Sequence, residues 1–446
     1  MSAVLDFPVK PEARPYLDAF DKGLSRNGDA APRWLAQSRR RGMTRFAELG
    51  FPTRRSESWR YLDLQPLQQK PLLPAGPEPG KHETAARTQL AGLELPGHGP
   101  RLVILDGVFA PALSRIGDLP TGVWLGATHR AIAEREDLFR EVAEETPGDP
   151  AHPFAALNAA FFADGFVLDI GPGITLDEPI EIVHLASGND PRSYHTRSLV
   201  RLGEGSRATI LETYAGEGRY WRNDVVAVRL AARAALNRAV LVEESAEAVH
   251  LAELEATVGA DARFSGFALL LGGGTVRHEA SVRMAGEGAE CHLDGAFVVD
   301  RTEEANIVTN VDHQVPHGTT RELIKGVAAG RAHGAFQGKI TVREGAQKVD
   351  AHQLSRNLIL GGRAVIDTKP ELEIYADDVK CAHGASVGEL DEAALFYLRT
   401  RGIPDAEARH MLIEGFLREP VEEIAAPALR EYLLRRLARR LAKLEE

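Results

Sequence analysis

From about residue 164 the chain becomes a long succession of short, alternating apolar–polar runs. FVLDI (166–170), IEIVHLA (180–186), SLVRL (198–202), ATILETY (208–214), VVAVRL (225–230) and ITVRE (340–344) are separated mostly by Gly, Asp and Asn, with almost no helical spacing among them. Alternation with a period of two specifies strands. The dipeptide Val-Arg closes a strand at Val200-Arg201, Val228-Arg229, Val282-Arg283 and Val342-Arg343, with gaps of 28, 54 and 60 residues. The last two gaps are near twice the first, and GEGS, AARA, AGEG and EGAQ follow as turn chemistry. A strand–turn–strand unit at this period predicts the stacked rungs of a β-solenoid, the alternative being an irregular sandwich.

Helical texture flanks this region. Residues 1 to about 72 read as helical: Trp34, Leu35, Ser38 and Arg41-Gly42 share one amphipathic stretch, Phe46, Leu49 and Phe51 follow, and Pro52 ends it. A Pro/Gly-rich run over 71–100 (Pro71, Pro74, Gly76, Pro77, Pro79, Gly80) reads as a linker. RLVILDGVF (101–109) reads as a short strand and turn, and 128–163 return to helical spacing. At the other end, LDEAALFYLRTRG (390–402) stops at Gly402 and Pro404, DAEARHMLIEGFL (405–417) follows, and a last helix near 426–444 carries Leu433, Leu437, Leu441 and Leu444 on one face. Its Arg430, Arg435, Arg436, Arg439, Arg440 and Lys443 lie mostly off that stripe, as a solvated face or a docking surface for an acidic partner. The expected units are a mainly helical N-terminal domain with its linker (1–163), a β core (164–386) and a C-terminal helical domain (387–446).

Charge and cysteine content exclude several classes. Among 446 residues, 53 Lys+Arg against 64 Asp+Glu give a net charge of −11. Such a chain lacks the basic surface that nucleic-acid binding requires. Two cysteines form no disulfide framework and cannot alone ligate a zinc or an iron–sulfur cluster. The N-terminal MSAVLDFPVKPEARPYLDAF has no secretory pattern, and no apolar run is long enough to span a membrane. A cytoplasmic protein is expected.

Most chemical motifs fail. There is no Walker A sequence, because Gly338-Lys339 is followed by Ile340 and His333 stands where the first glycine belongs. There is no CxxC and no HExxH, and the runs Gly203-Glu204-Gly205 and Gly286-Glu287-Gly288 sit among strands without a third glycine. Gly384-Ala385-Ser386-Val387-Gly388 matches the nucleophile-elbow pattern, but it follows continuous β structure and reads better as a turn into the C-terminal helices. His313, His317, His333, His352 and His383 cluster late in the chain, and each singly reads as structural. Cys291-His292 is adjacent, so its side chains diverge on a strand.

Cys381-Ala382-His383 is different. On a strand the two side chains share a face, with Cα atoms roughly 6.5–7 Å apart. Thiolate and imidazole suit iron or zinc, and Lys380 is expected to favour the thiolate. Two ligands do not complete a tetrahedral site, so a metal here needs ligands from elsewhere, such as another chain. A buried cysteine beside a structural histidine is the other reading.

These residues also carry a family resemblance. ADDVKCAHGASVGELDEAALFYLRTRGIP (376–404) resembles the C-terminal signature of the SufB/SufD family of iron–sulfur cluster assembly proteins. PTRRSESWRYLDL (52–64) is similar to its E-x-W-R/K-Y segment through Glu57, Trp59 and Tyr61, and HPFAALNAAFFADGFVLDI (152–170) and residues 317–360 agree in order and spacing. K-C-x-H-G at 380–384 resembles the SufD branch. The SufB branch carries its cluster cysteine near the position of Ser355 here, so this chain is not expected to be the principal scaffold alone. The resemblance implies a right-handed parallel β-helix core between helical N- and C-terminal domains. It implies a non-catalytic subunit that pairs its β-helix with a SufB-type scaffold and docks a SufC-type ATPase on its C-terminal helices. It implies a transient iron–sulfur cluster shared with the partner subunit, with His383 and then Cys381 as metal ligands. A flavin, where one is used, belongs to the complex and to no motif in this chain. A self-sufficient homodimeric scaffold is the nearer alternative, and a β-helix polysaccharide enzyme the remote one.

Overall fold

The computed structural model describes residues 8–27, 32–74, 82–144, 152–188 and 190–444. Gly76, Pro77, Pro79 and Gly80 of the expected linker lie outside them. The chain is mainly β. A parallel β-solenoid of about eight turns contributes one strand per turn to each of two sheets. One sheet runs from Phe166–Ile170 to Val365–Ile374, the other from Ile180–Ala186 to Lys380–Gly388.

The Val-Arg repeat has a direct structural cause. Val200 lies opposite Val228, and Val228 is joined to Val282 through Ala256, in one inward column. A gap of 28 residues is therefore one turn, and a gap of 54 is two. The residue two turns beyond Val282 in this column is Ile340. Val342 sits one pleat further on, opposite His313, which lengthens the last gap. The four valines are buried in the solenoid interior, while Arg201 points out to Asp169 at 2.7 Å. The corners repeat as well. Gly205, Arg233, Asp261, Gly288, His317 and Lys348 all have φ between 52° and 70°. The N–H of Gly205 donates to Ala232 and that of Arg233 to Ala260, so each corner bonds the next. This left-handed conformation is nearly free for glycine and costs other residues about 1–2 kcal/mol, which is why glycine recurs here without any nucleotide-binding role.

The two ends of the solenoid differ. At the N-terminal end Arg101–Leu105 adds in parallel to Ile180–Ala186, and Val123–Ala127 adds antiparallel to Phe166–Ile170. Part of the 71–100 run is a helix, Glu83–Gly92, whose alanine-rich sequence outweighs its Pro/Gly-rich surroundings. At the C-terminal end, Val365–Ile374 and Lys380–Gly388 each pair on one side only among the described residues.

Helices cover both outer faces. Phe46, Phe51, Trp59 and Phe154 pack with Trp221 and Leu251 on one sheet. Arg277 stacks 4.1 Å over the Trp59 ring, and Lys369 reaches Glu57 at 2.6 Å, so the Glu57–Trp59 segment is a docking element for the solenoid. On the other sheet, Asp405–Glu422 and Pro427–Leu441 bury Leu417, Tyr432, Leu433 and Leu437 against Leu241, Phe267, Leu269 and Val298. Three arginines of the last helix pair within the chain. Arg436 pairs with Glu243, Arg439 with Glu94 at 2.6 Å and Arg440 with Glu303 at 2.5 Å. Arg436 and Arg440 thus clamp the helix to acidic residues far away in sequence, while Arg435, Arg439 and Lys443 are exposed, as the solvated face expected from sequence requires. Among the described residues, no helix is long and apolar enough to cross a membrane.

Candidate functional site

Alternation places the Cys381–His383 pair as the sequence predicts. Both lie on the edge strand Lys380–Gly388, opposite Ala351 and Gln353 respectively. The Cys381 side chain packs against the apolar interior of the solenoid. His383, two residues on, shares that inward face but is exposed, because no further turn covers it. The site is therefore the open mouth of the solenoid, with one half-covered thiol and one accessible imidazole.

The expectation for Lys380 fails. Burial pushes the Cys381 thiol above its ordinary range, Asp350 adds to this, and a backbone hydrogen bond at Ala351 only partly offsets it. Lys380 is next in sequence, but its side chain leaves the opposite face of the strand. The thiol is protonated at neutral pH, whereas a neutral imidazole needs no deprotonation to act as a ligand.

Behind the mouth runs a column of inward residues that sequence reading missed. Leu293, Glu322, Gln353 and His383 occupy successive strands in one register. Gln353 donates to Glu322 at 2.5 Å and Thr309 donates to it at 3.1 Å, all three being buried. Burial pushes the Glu322 carboxyl up to about 7, against the effect of those two hydrogen bonds. The available signal was parity: Glu322 and Gln353 are polar residues at inward positions of strands whose other inward residues are mostly small or apolar. Cys291 lies in the neighbouring column, linked to Cys381 through Thr320 and Ala351, but it is fully buried and remains structural. Ser355 is likewise inward and buried, hydrogen-bonded to Asn357 at 3.0 Å.

Other expectations resolve simply. Gly384–Gly388 is part of the edge strand rather than a turn, and it has no strand–turn–helix geometry for a serine nucleophile. The late histidines are dispersed: His313 is buried against Thr320 at 2.8 Å, His333 meets Asp367 at 2.8 Å and His352 meets Asp350 at 3.0 Å. Exposed apolar side chains gather near the mouth at Val365, Ile374, Tyr375 and Val387, and on the helices beyond it at Phe396, Tyr397 and Met411.

Comparison with known proteins agrees with this architecture. Residues 184–416 match the family model for the SUF system FeS cluster assembly SufBD core domain, and residues 93–182 match the SufBD protein N-terminal region. The chain is 30% identical to an iron–sulfur cluster assembly SufBD family protein of Synechocystis over 89% of its own length and 88% of the relative's. It is 30% identical to the iron–sulfur cluster assembly protein SufD of Escherichia coli, over 88% of this chain and 90% of that one. The chloroplastic protein ABCI7 of Arabidopsis thaliana is 27% identical over 85% of this chain and 81% of its own. A solenoid matched across its core and N-terminal region, with relatives aligned over nearly their whole length, places the chain in the SufBD family of iron–sulfur cluster assembly proteins, SufD proteins among its relatives.

Proposed function

We propose that this chain is the SufD-type, non-catalytic subunit of a cytoplasmic cluster-assembly complex, and that His383 supplies a ligand or positioning contact for a cluster built where its solenoid meets a SufB-type scaffold. The observation that carries the reading is the open mouth: two one-sided edge strands, an apolar rim and an accessible imidazole on one surface. Unpaired strand edges are templates for pairing with another chain. A SufB-type partner adding strands there would cover Val365, Ile374, Tyr375 and Val387 and bring the ligands that Cys381 and His383 lack. The cluster is cargo, shared across the interface and passed on. Flavin, where the complex uses it, is not assigned to a residue of this chain.

The SufC-type ATPase docks on the C-terminal helices. Phe396 and Tyr397, 68% and 57% exposed, suit that role better than the arginines already paired with the solenoid. With no P-loop in the sequence, the chain itself hydrolyses no ATP.

Co-expression with SufB-type and SufC-type partners, followed by light scattering, tests this. The wild-type chain is expected in a complex with both. A Phe396→Asp/Tyr397→Asp variant should keep the scaffold and lose the ATPase bound through this subunit. A chain that forms only homodimers in the presence of both partners would support the self-sufficient scaffold instead.

A further inference from the structure

The solenoid interior is apolar along most of its length, but near its N-terminal end it holds a compact group of charged and titratable side chains. His184, Glu212, Tyr214, Asp224, Arg222 and Arg238 are all fully or almost fully buried. Glu244 and His250 adjoin them, also buried and 3.1 Å apart. Arg238 makes a two-pronged pair with Glu212, both contacts at 2.7 Å, and Arg222 donates to Glu244 at 2.6 Å. Asp224 is the carboxylate left over. It accepts hydrogen bonds from Thr196 and Tyr214, and has no ion pair among the described residues.

His184 faces this carboxylate pair. Its ring stacks on Tyr214 with centroids 4.4 Å apart, and neither ring nitrogen has a hydrogen-bond partner among the described residues. Buried polar groups are paired in the great majority of cases, and an imidazole with both nitrogens unpaired in an apolar interior carries the full cost of desolvation. A neutral imidazole keeps one nitrogen lone pair free to bind. One ligand atom each from His184, Glu212 and Asp224 lies within 4.8 Å of the others. Ligands about 2.1 Å from a tetrahedral ion stand about 3.4 Å apart, so the three need to draw in by at most about 1.4 Å. The Tyr214 hydroxyl sits between Glu212, 3.0 Å away, and Asp224, with its one proton to donate to either, beneath the His184 ring.

We propose that His184, Glu212 and Asp224 form a buried binding site for one divalent transition-metal ion inside the solenoid, separate from the Cys381–His383 mouth. One imidazole and two carboxylates form a nitrogen–oxygen donor set suited to zinc or ferrous iron rather than to thiophilic copper(I). The ion compensates Asp224, gives the His184 lone pair a partner and ties together three strands of the solenoid. Because the site is enclosed, it loads as the chain folds.

The test uses the full chain expressed in zinc- or cobalt-supplemented medium and then desalted into chelator. Wild type, and a Cys381→Ala/His383→Ala variant, should each retain about one zinc per chain, while His184→Gln should retain at least about tenfold less. The cobalt protein should show d–d absorption without a thiolate-to-metal charge-transfer band. Wild type that retains no zinc, or His184→Gln that retains as much as wild type, overturns the site and leaves a hydrogen-bonded structural cluster. Where His184→Gln fails to fold, the wild-type cobalt spectrum decides: thiolate charge transfer, or no d–d band, is the contrary result.

Discussion

Gln353 and His383 stand opposite each other across the last parallel strand pair, so the imidazole at the mouth is the outermost member of an inward column that continues through the buried Glu322. Two members of the column meet opposite environments. Glu322 is held in a site where a carboxylate is costly, with hydrogen bonds from Gln353 and Thr309 but no cation bonded to it among the described residues. His383 meets solvent. Two solenoid turns therefore separate a buried proton-binding group from an accessible imidazole.

Stability should fall as pH rises because of Glu322. Its folded-state pKa, about 7, lies above the ordinary glutamate value of 4.5. The folded protein thus binds the extra proton between those values, and stability declines from about pH 4.5 through 7 and then levels off. Glu322→Gln removes this dependence and should leave the chain more stable at pH 8 by up to roughly 3 kcal/mol. Urea denaturation of both proteins at pH 5 and pH 8 checks it; equal pH slopes for the two would contradict it.

Trp59 should behave as a core residue of the whole chain although it lies in a short N-terminal segment. It is buried edge-on to Phe154 at 5.2 Å and beneath the Arg277 guanidinium. Trp59→Ala should cost about 3–5 kcal/mol, and Trp59→Phe distinctly less. The comparison of denaturation midpoints is the measurement, and a Trp59→Ala midpoint equal to wild type would show that the segment is not docked.

Removing Pro427–Leu441 should damage the core rather than only a partner site. The helix covers Leu241, Phe267 and Leu269, and losing it bares a contiguous apolar sheet face. The truncated chain should aggregate, and the single change Leu437→Ala should cost about 2–5 kcal/mol. A soluble, monomeric truncation with an unchanged melting temperature would refute this.

These cases show where the sequence was legible. Strand periodicity located the solenoid because most inward residues obey the same apolar–polar alternation, and the Val200–Val228 spacing matches one turn. The shared face of Cys381 and His383 followed from the same geometry. What sequence did not reveal depends on distant partners. The arginines of the last helix looked free because Glu243, Glu94 and Glu303 lie far away along the chain. The Cys381 thiol looked activated because Lys380 is its neighbour in sequence, whereas burial decides its protonation. Glu322 and Gln353 went unnoticed because parity marks them as inward polar residues but does not show that they meet until the strands are placed in register.

The central claim is that His383 contributes directly to a cluster held at the mouth. The decisive measurement is iron and sulfide content of the anaerobically purified complex with SufB-type and SufC-type partners, for wild type, Cys381→Ala and His383→Ala. The account predicts that all three complexes assemble and that His383→Ala lowers cluster content about tenfold, more than Cys381→Ala does. Wild-type iron and sulfide in an intact His383→Ala complex would contradict it.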